Sequence, residues 1–326
     1  MGYLAEPYGA RTPQVWNDFV ERSDSGTIFH RLDFLSYHGQ RFAANERHLA
    51  ILKGSSLFGV MPMGVFEESS GRRVARSPYG ASYGGPVFAE PLDYATSREV
   101  TGAIVACLRE WKVSQLVMTL PIAPCCRRYC ETFRLALLEA GFACTNRDIS
   151  SVVDLRGAAD VQQVVTSRAR NMSRKAQKLG VKVVERAGVE EFWAVMEATF
   201  RKHGKSPAHS LEEFRLLHER FPQRIWVDVA ALDGTAVAGV GYVAVNARVN
   251  SSFYLCQDPA HQSTQAQSLL VCHALEQSKK AGYAWFDFGT SSRQTRGVAN
   301  IFHFKESFGA VGFFRETYTW SEGAGP

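Results

Sequence analysis

A chain of 326 residues with 45% apolar side chains is long enough for two ordinary domains, each with its own core, which excludes a disordered protein. The formal charge is +5: residues 1–150 carry 16 Lys and Arg against 15 Asp and Glu, and residues 151–326 carry 21 against 17. That bias suits an anionic substrate and falls short of a dedicated nucleic-acid binder. No segment approaches the roughly 20 unbroken apolar residues of a spanning helix, and the N-terminus lacks a basic-then-apolar signal pattern. A cytoplasmic protein without stable membrane insertion is the expectation.

Seven cysteines are an odd number without framework spacing, so reduced thiols are expected. Cys125, Cys126 and Cys130 lack both the Cys-x2-Cys spacing and the second ligand pair of a structural zinc site, and no metal is expected.

The first half opens with helical periodicity over residues 12–22 and again over 32–40. Strands over 48–53 and 56–63 flank Gly54-Ser55, which predicts a tight hairpin, with Pro62 at an edge or bulge. The glycine- and tyrosine-rich stretch 77–86 reads as an ordered loop, and loops of this kind often carry function. A helix over 95–111, a strand over 115–120, a helix over 127–140 and a strand over 151–155 complete an alternating α/β set.

The second half begins with a basic helix and a strand over 181–185. A helix follows with an apolar stripe of Phe192, Val195, Met196, Thr199 and Phe200, and then a helix over 211–220. Strands over 225–231 and 236–245 pair across Asp233-Gly234, a favoured hairpin turn, and 249–256 adds a third antiparallel strand. A polar loop, a helix over 266–280, a strand over 285–289, a short helix near 297–308 and a last strand over 313–320 close the chain.

Three groups of residues carry candidate chemistry. Residues 161–184 hold Arg168, Arg170, Arg174, Lys175, Lys178 and Lys182 with no acidic residue, and helical spacing sets them in neighbouring stripes suited to phosphates. The bland alternative is a solvated helix surface. Asp287 alternates onto the face opposite Phe286 and Phe288, either as a base or acceptor-binding group or as a carboxylate bonded to amides after Gly289. Tyr79, Tyr83 and Tyr254 are candidates for an acceptor cleft, against the commoner role of core aromatics. Of the scattered His30, His203, His273 and His303, His273 lies on an apolar helix stripe and reads as a core histidine.

The basic run 168–178, the strand 282–289 and the closing run 301–309, with Phe304-Lys305 and Phe308-Gly309, resemble the Fem-type aminoacyltransferases of peptidoglycan cross-bridge synthesis and their wider Gcn5-related (GNAT) relatives. Residues 82–86 are a weaker match. The resemblance implies an α/β (α+β) chain of two tandem GNAT-like domains, 1–155 and 156–326, each a mostly antiparallel mixed sheet flanked by helices. The second half follows the element order of that fold, and the first is a blurrier copy without a repeat in sequence. In the enzymes resembled, the lysine and aromatic matching Lys305 and Phe304 sit beside the activated ester, which implies catalytic roles for Lys305 and Phe304, with Asp287 the third catalytic candidate.

The same resemblance implies aminoacyl-tRNA as co-substrate and partner, with Arg168, Arg170, Arg174, Lys175 and Lys178 on its phosphates, and a small-molecule or peptide amine as acceptor. No resident cofactor is expected. The long heptad-bearing arm of the best-known members is missing, and no residues match those that grip a nucleotide-linked peptidoglycan precursor. An acyl-coenzyme A N-acyltransferase is the alternative, weakened because the turn 262–266 lacks the glycines that cradle a coenzyme A pyrophosphate in such folds. A binding module that has lost its chemistry is a further alternative.

Overall fold

The computed structural model describes residues 2–9, 12–157, 160–202, 204 and 206–323. They form two compact units, one of residues 1–148 with 314–326 and the other of residues 149–313. Both are mixed α/β structures of the tandem GNAT type. All seven cysteines are free.

In the first unit, Tyr3–Pro7, Leu49–Lys53, Ser56–Met61 and Val87–Phe88 form an antiparallel sheet in that order. The Gly54-Ser55 hairpin forms as its sequence predicts, with Lys53 opposite Ser56. A second set runs Gly64–Glu67, Arg73–Ser77, Gln115–Thr119, the closing strand from Phe314 onward, and the start of Ala143–Asp154. Arg73–Ser77 and Gln115–Thr119 pair in parallel within it. Helix Tyr94–Glu110 is capped by the Asp93 carboxylate, which accepts the Thr96 amide.

Two predicted helices of this unit differ from expectation. Residues 32–40 form short pieces, Leu32–Leu35 and Ser36–His38, ended by Gly39 in the left-handed region at φ 55°. The helix expected from 127 begins only at Thr132, because the Arg127 and Arg128 amides bond the carbonyl and carboxylate of Asp24 instead. Short strands at Tyr3–Pro7 and Gly64–Glu67 carry too little alternation to be seen in the sequence.

The second unit is one sheet in the order Lys182–Val184, Ile225–Leu232, Thr235–Ala244, Val249–Gln257, Trp285–Thr290 and the end of Ala143–Asp154. Leu232 pairs with Thr235 across the predicted Asp233-Gly234 turn. Helices Ser167–Lys178 and Ala266–Lys280 pack together over one face, where Ala169, Ala176, Leu270 and Ala274 join Val240, Tyr242 and Phe286 in a single core. On the other face, Phe192 and Phe214 of helices Val189–Lys202 and Leu211–Arg220 lie against Gly239 and Gly241. The burial of such large rings is the main stabilising contribution of this layer.

Candidate active site

Within the second unit, Val249–Gln257 and Trp285–Thr290 are parallel neighbours only through Val249–Trp285, Asn250–Phe286 and Ser251–Asp287. The first strand continues to Gln257 without that partner, so the two part at Asp287. Asp287 is buried between Phe286 and Phe288 in sequence, and those rings fill the core on the face it turns away from. Its Oδ1 accepts the Ser150 hydroxyl at 2.7 Å and the Gly289 amide at 2.8 Å. Both sequence readings of Asp287 therefore stay compatible with its surroundings, since it is held by a loop amide and lies where the strands open.

Serines converge on the same place. Ser251 Oγ donates to the Asp287 carbonyl at 2.8 Å, the Ser151 and Ser291 hydroxyls are 2.6 Å apart, and Ser292 Oγ accepts the Ile149 amide at 2.7 Å. The buried Ser252 hydroxyl, one residue beyond the last paired position, has no hydrogen-bond partner among the described residues. The signal available in the sequence was three of its five Ser-Ser pairs, at 150–151, 251–252 and 291–292.

Lys305 comes from the closing helix Ala299–Glu306 and is only 8% exposed. Its Nζ donates to the carbonyls of Gly289 at 2.9 Å and Thr290 at 2.8 Å, so it grips the turn that follows Asp287. Burial lowers its pKa to about 8, against the pull of the Asp287 carboxylate, which favours the charged form. Phe304, its neighbour in sequence, packs edge-on against Phe308 at 5.1 Å and belongs to the core margin. Gly309 ends the motif at φ 82°, and a Cβ there would meet the Val164 carbonyl oxygen at 2.5 Å. Lys305 and Asp287 are thus brought together, while the contact seen for Phe304 is with Phe308.

The basic helix divides its cations. Arg168, Arg174, Lys175 and Lys178 are exposed, while Ala169, Ser173 and Ala176 face the core. Arg170 is turned inward: its guanidinium donates to the Gln162 carbonyl at 2.7 Å and to the Val165 carbonyl, which latches the preceding turn. The three tyrosines are buried in different places. In the first unit Tyr79 donates to Glu46 at 3.0 Å, and Tyr83 packs against Phe29 with the Arg315 guanidinium 4.8 Å above its ring. In the second unit the Tyr254 hydroxyl lies 2.7 Å from His209 Nδ1, and burial pushes its pKa up to about 12. His203 lies outside the described residues.

At the turn before helix Ala266–Lys280, Gln265 adopts the left-handed conformation and the Ala266 amide is bonded by Thr264 Oγ1 at 3.3 Å. The amides of Gln265 and Ser268 are bonded within the turn as well. Beside it lies a cavity of about 240 Å³, lined by Thr199, Lys202, Gln257, Asp258 and Gln262 among others. Among the described residues no group of His, Cys, Asp and Glu could hold a metal ion, and no helix is long and apolar enough to cross a membrane.

Comparison with known proteins accords with this geometry. Residues 165–305 match the family model of an acetyltransferase (GNAT) domain. The chain is similar to FemX at a TM-score of 0.75 and 12% identity, over 98% of this chain and 97% of that one. A tandem GNAT protein from the clavulanic acid biosynthesis pathway gives 0.56 at 13% identity, over 99% and 98%. L-PGS from Bacillus licheniformis gives 0.59 at 13% identity, over 96% and 92%. No curated protein matches the chain. Residues 165–305 are a GNAT acyltransferase domain in the second unit, and the chain as a whole has the tandem GNAT fold seen in FemX.

Proposed function

We propose that this acyltransferase moves an aminoacyl group from aminoacyl-tRNA to the amine of a peptidoglycan precursor or a peptide-like natural product. The observation that carries the reading is the exposed cationic face of Arg168, Arg174, Lys175 and Lys178, on a helix whose cap is bonded to the closing motif that holds Lys305. A polyanionic donor engages such a face through its phosphates. The likeness to FemX, and to a protein named as a putative lysylphosphatidylglycerol synthetase at a TM-score of 0.61, supports an aminoacyl donor.

In the reaction proposed, the acceptor amine attacks the ester carbonyl, a C–N bond forms and the C–O bond to the ribose breaks. The amine loses a proton and the leaving ribose oxygen gains one. Lys305, with a pKa of about 8, can hold or release a proton near neutral pH, and its ammonium supplies positive charge where the oxyanion develops. Asp287, fixed by Ser150 and Gly289 beside the turn gripped by Lys305, is the carboxylate this reading assigns to accept the amine proton. No covalent enzyme intermediate is needed.

An acyl-coenzyme A donor is the second reading, favoured by the acetyltransferase family match and by the cavity with Lys202 beside the helix turn. Against it, the Gln265, Ala266 and Ser268 amides of that turn already have partners within the protein. The test is transfer of radiolabelled amino acid from a pool of charged tRNAs to an acceptor panel, with and without ribonuclease pretreatment. Ribonuclease-sensitive transfer is the expected result. Absence of transfer together with calorimetric binding of coenzyme A would replace this reading with the second.

A further inference from the structure

A cavity of about 320 Å³ in the second unit is separate from the Asp287 site. Asn250 and Ser251 are consecutive on one strand and point to opposite faces of the sheet. Asn250 bonds Ser278 of helix Ala266–Lys280 at 2.9 Å and lines this cavity, whereas Ser251 bonds the Asp287 carbonyl. The cavity also takes in Asp228, Tyr242, Trp226, Tyr283 and Glu185.

Its polar groups Asp228 and Tyr242 are buried. Asp228 is 3% exposed, and its Oδ1 accepts the Arg186 amide at 2.9 Å. The Tyr242 hydroxyl, 1% exposed, lies beside the Asp228 carboxylate, and burial together with that carboxylate raises its pKa well above the ordinary value, so it stays neutral. A phenol that faces a carboxylate with its O–H keeps lone pairs on its oxygen to accept a bond from a ligand donor. Trp226 stacks on Tyr242 with ring centroids 4.7 Å apart and planes at 17°.

The charges around the cavity favour a cation. Glu185 and Asp228 supply two carboxylates. The one arginine lining it, Arg186, is engaged over the Trp226 ring at 5.4 Å and donates to the Pro222 carbonyl. His273, on the adjoining helix, has its Nε2 3.2 Å from the Glu185 carboxylate. We propose that this cavity binds the ammonium group of an organic amine, with Asp228 as counter-charge, Tyr242 as hydrogen-bond acceptor and the Trp226, Tyr242 and Tyr283 rings beside its carbon stem. The inference is independent of the donor assigned to the Asp287 site.

The test is calorimetric titration of the full chain with pentylamine at neutral pH, with pentanol as the uncharged control. Pentylamine should bind and pentanol should not. Asp228→Asn should weaken pentylamine roughly tenfold or more, as expected for a lost hydrogen-bonded charge. Tyr242→Phe, which keeps the stacked ring, should weaken it several-fold and serves if the Asp228 variant does not fold. Asp287→Asn should bind as the unaltered protein does. The proposal is overturned if the unaltered protein takes up no pentylamine at millimolar concentration. It is overturned equally if both cavity variants bind it undiminished, or if the loss follows Asp287 instead.

Discussion

Thr166 donates both its amide, at 3.0 Å, and its hydroxyl, at 2.9 Å, to the carbonyl of Ser307. The same hydroxyl caps helix Ser167–Lys178 by accepting the Ala169 amide at 3.3 Å. One side chain therefore joins the start of the basic helix to the end of the helix that carries Lys305. Thr166→Ala should lower stability by about 1–2 kcal/mol, the usual cost of a lost cap and side-chain bond. Urea unfolding should show a shifted midpoint at unchanged slope, and Thr166→Ser should recover most of the loss. A serine variant as unstable as the alanine one would place the effect in the methyl group.

Lys305 makes stability depend on pH in the alkaline range. Its pKa is about 8 in the fold against 10.5 ordinarily, so between these values the unfolded chain binds a proton that the native chain has released. Stability then rises with pH across that window, by up to about 3 kcal/mol for the full shift. Lys305→Met should flatten that rise in urea unfolding measured from pH 8 upward. In transfer assays the same residue should give an apparent pKa near 8 that vanishes in the variant, with turnover reduced about 10²-fold or more. A wild-type rate profile retained in Lys305→Met would assign the titration to another group.

The meander and helix Ala266–Lys280 were legible in the sequence because periodicity changes sharply there and Asp233-Gly234 allows one hairpin register. Lys305 and Asp287 were legible through the closing motif, but what Lys305 touches was not. Its partners are backbone carbonyls 15 and 16 residues earlier, which no side-chain pattern reports. Arg170 shows the converse limit. Helical spacing groups it with Arg174 and Lys178, yet the turn at Val161–Gln163 folds back and takes its guanidinium. The buried hydroxyls of Ser150 and Ser251 left only Ser-Ser pairs as a trace, and serine pairs have no periodicity that marks them as interior.

Two histidines of the first unit set its acid stability. Burial lowers the pKa of His30 and of His48 to about 4, and His48 Nδ1 accepts the Met63 amide at 3.3 Å in its neutral form. Between about 4 and the ordinary 6.5 the unfolded chain binds protons that the fold refuses. Stability should therefore be fully present above the upper value and fall as pH drops through the window, by up to about 3 kcal/mol for each group. His48→Asn, which keeps an acceptor for Met63, should reduce the steepness of that loss in thermal melts. A melt profile as steep as that of the unaltered chain would remove His48 from the account.

The basic helix offers a prediction in which neighbouring arginines behave oppositely. Arg168, Arg174, Lys175 and Lys178 are exposed, so neutralising any one of them should leave stability within about 0.5 kcal/mol of the original. If they meet tRNA phosphates, each neutralisation should weaken tRNA binding and reduce the slope of log affinity against log salt by roughly 0.7–0.9. Arg170→Ala should do the reverse, because it removes the donors held by Gln162 and Val165 and loosens the turn beneath the helix. Its cost should appear in unfolding, with little change in salt slope. Titrations of tRNA at several salt concentrations, paired with urea unfolding of the same variants, separate the two roles. An Arg170 variant that alters the salt slope as much as Arg174→Ala would show that the inward latch opens to engage phosphate.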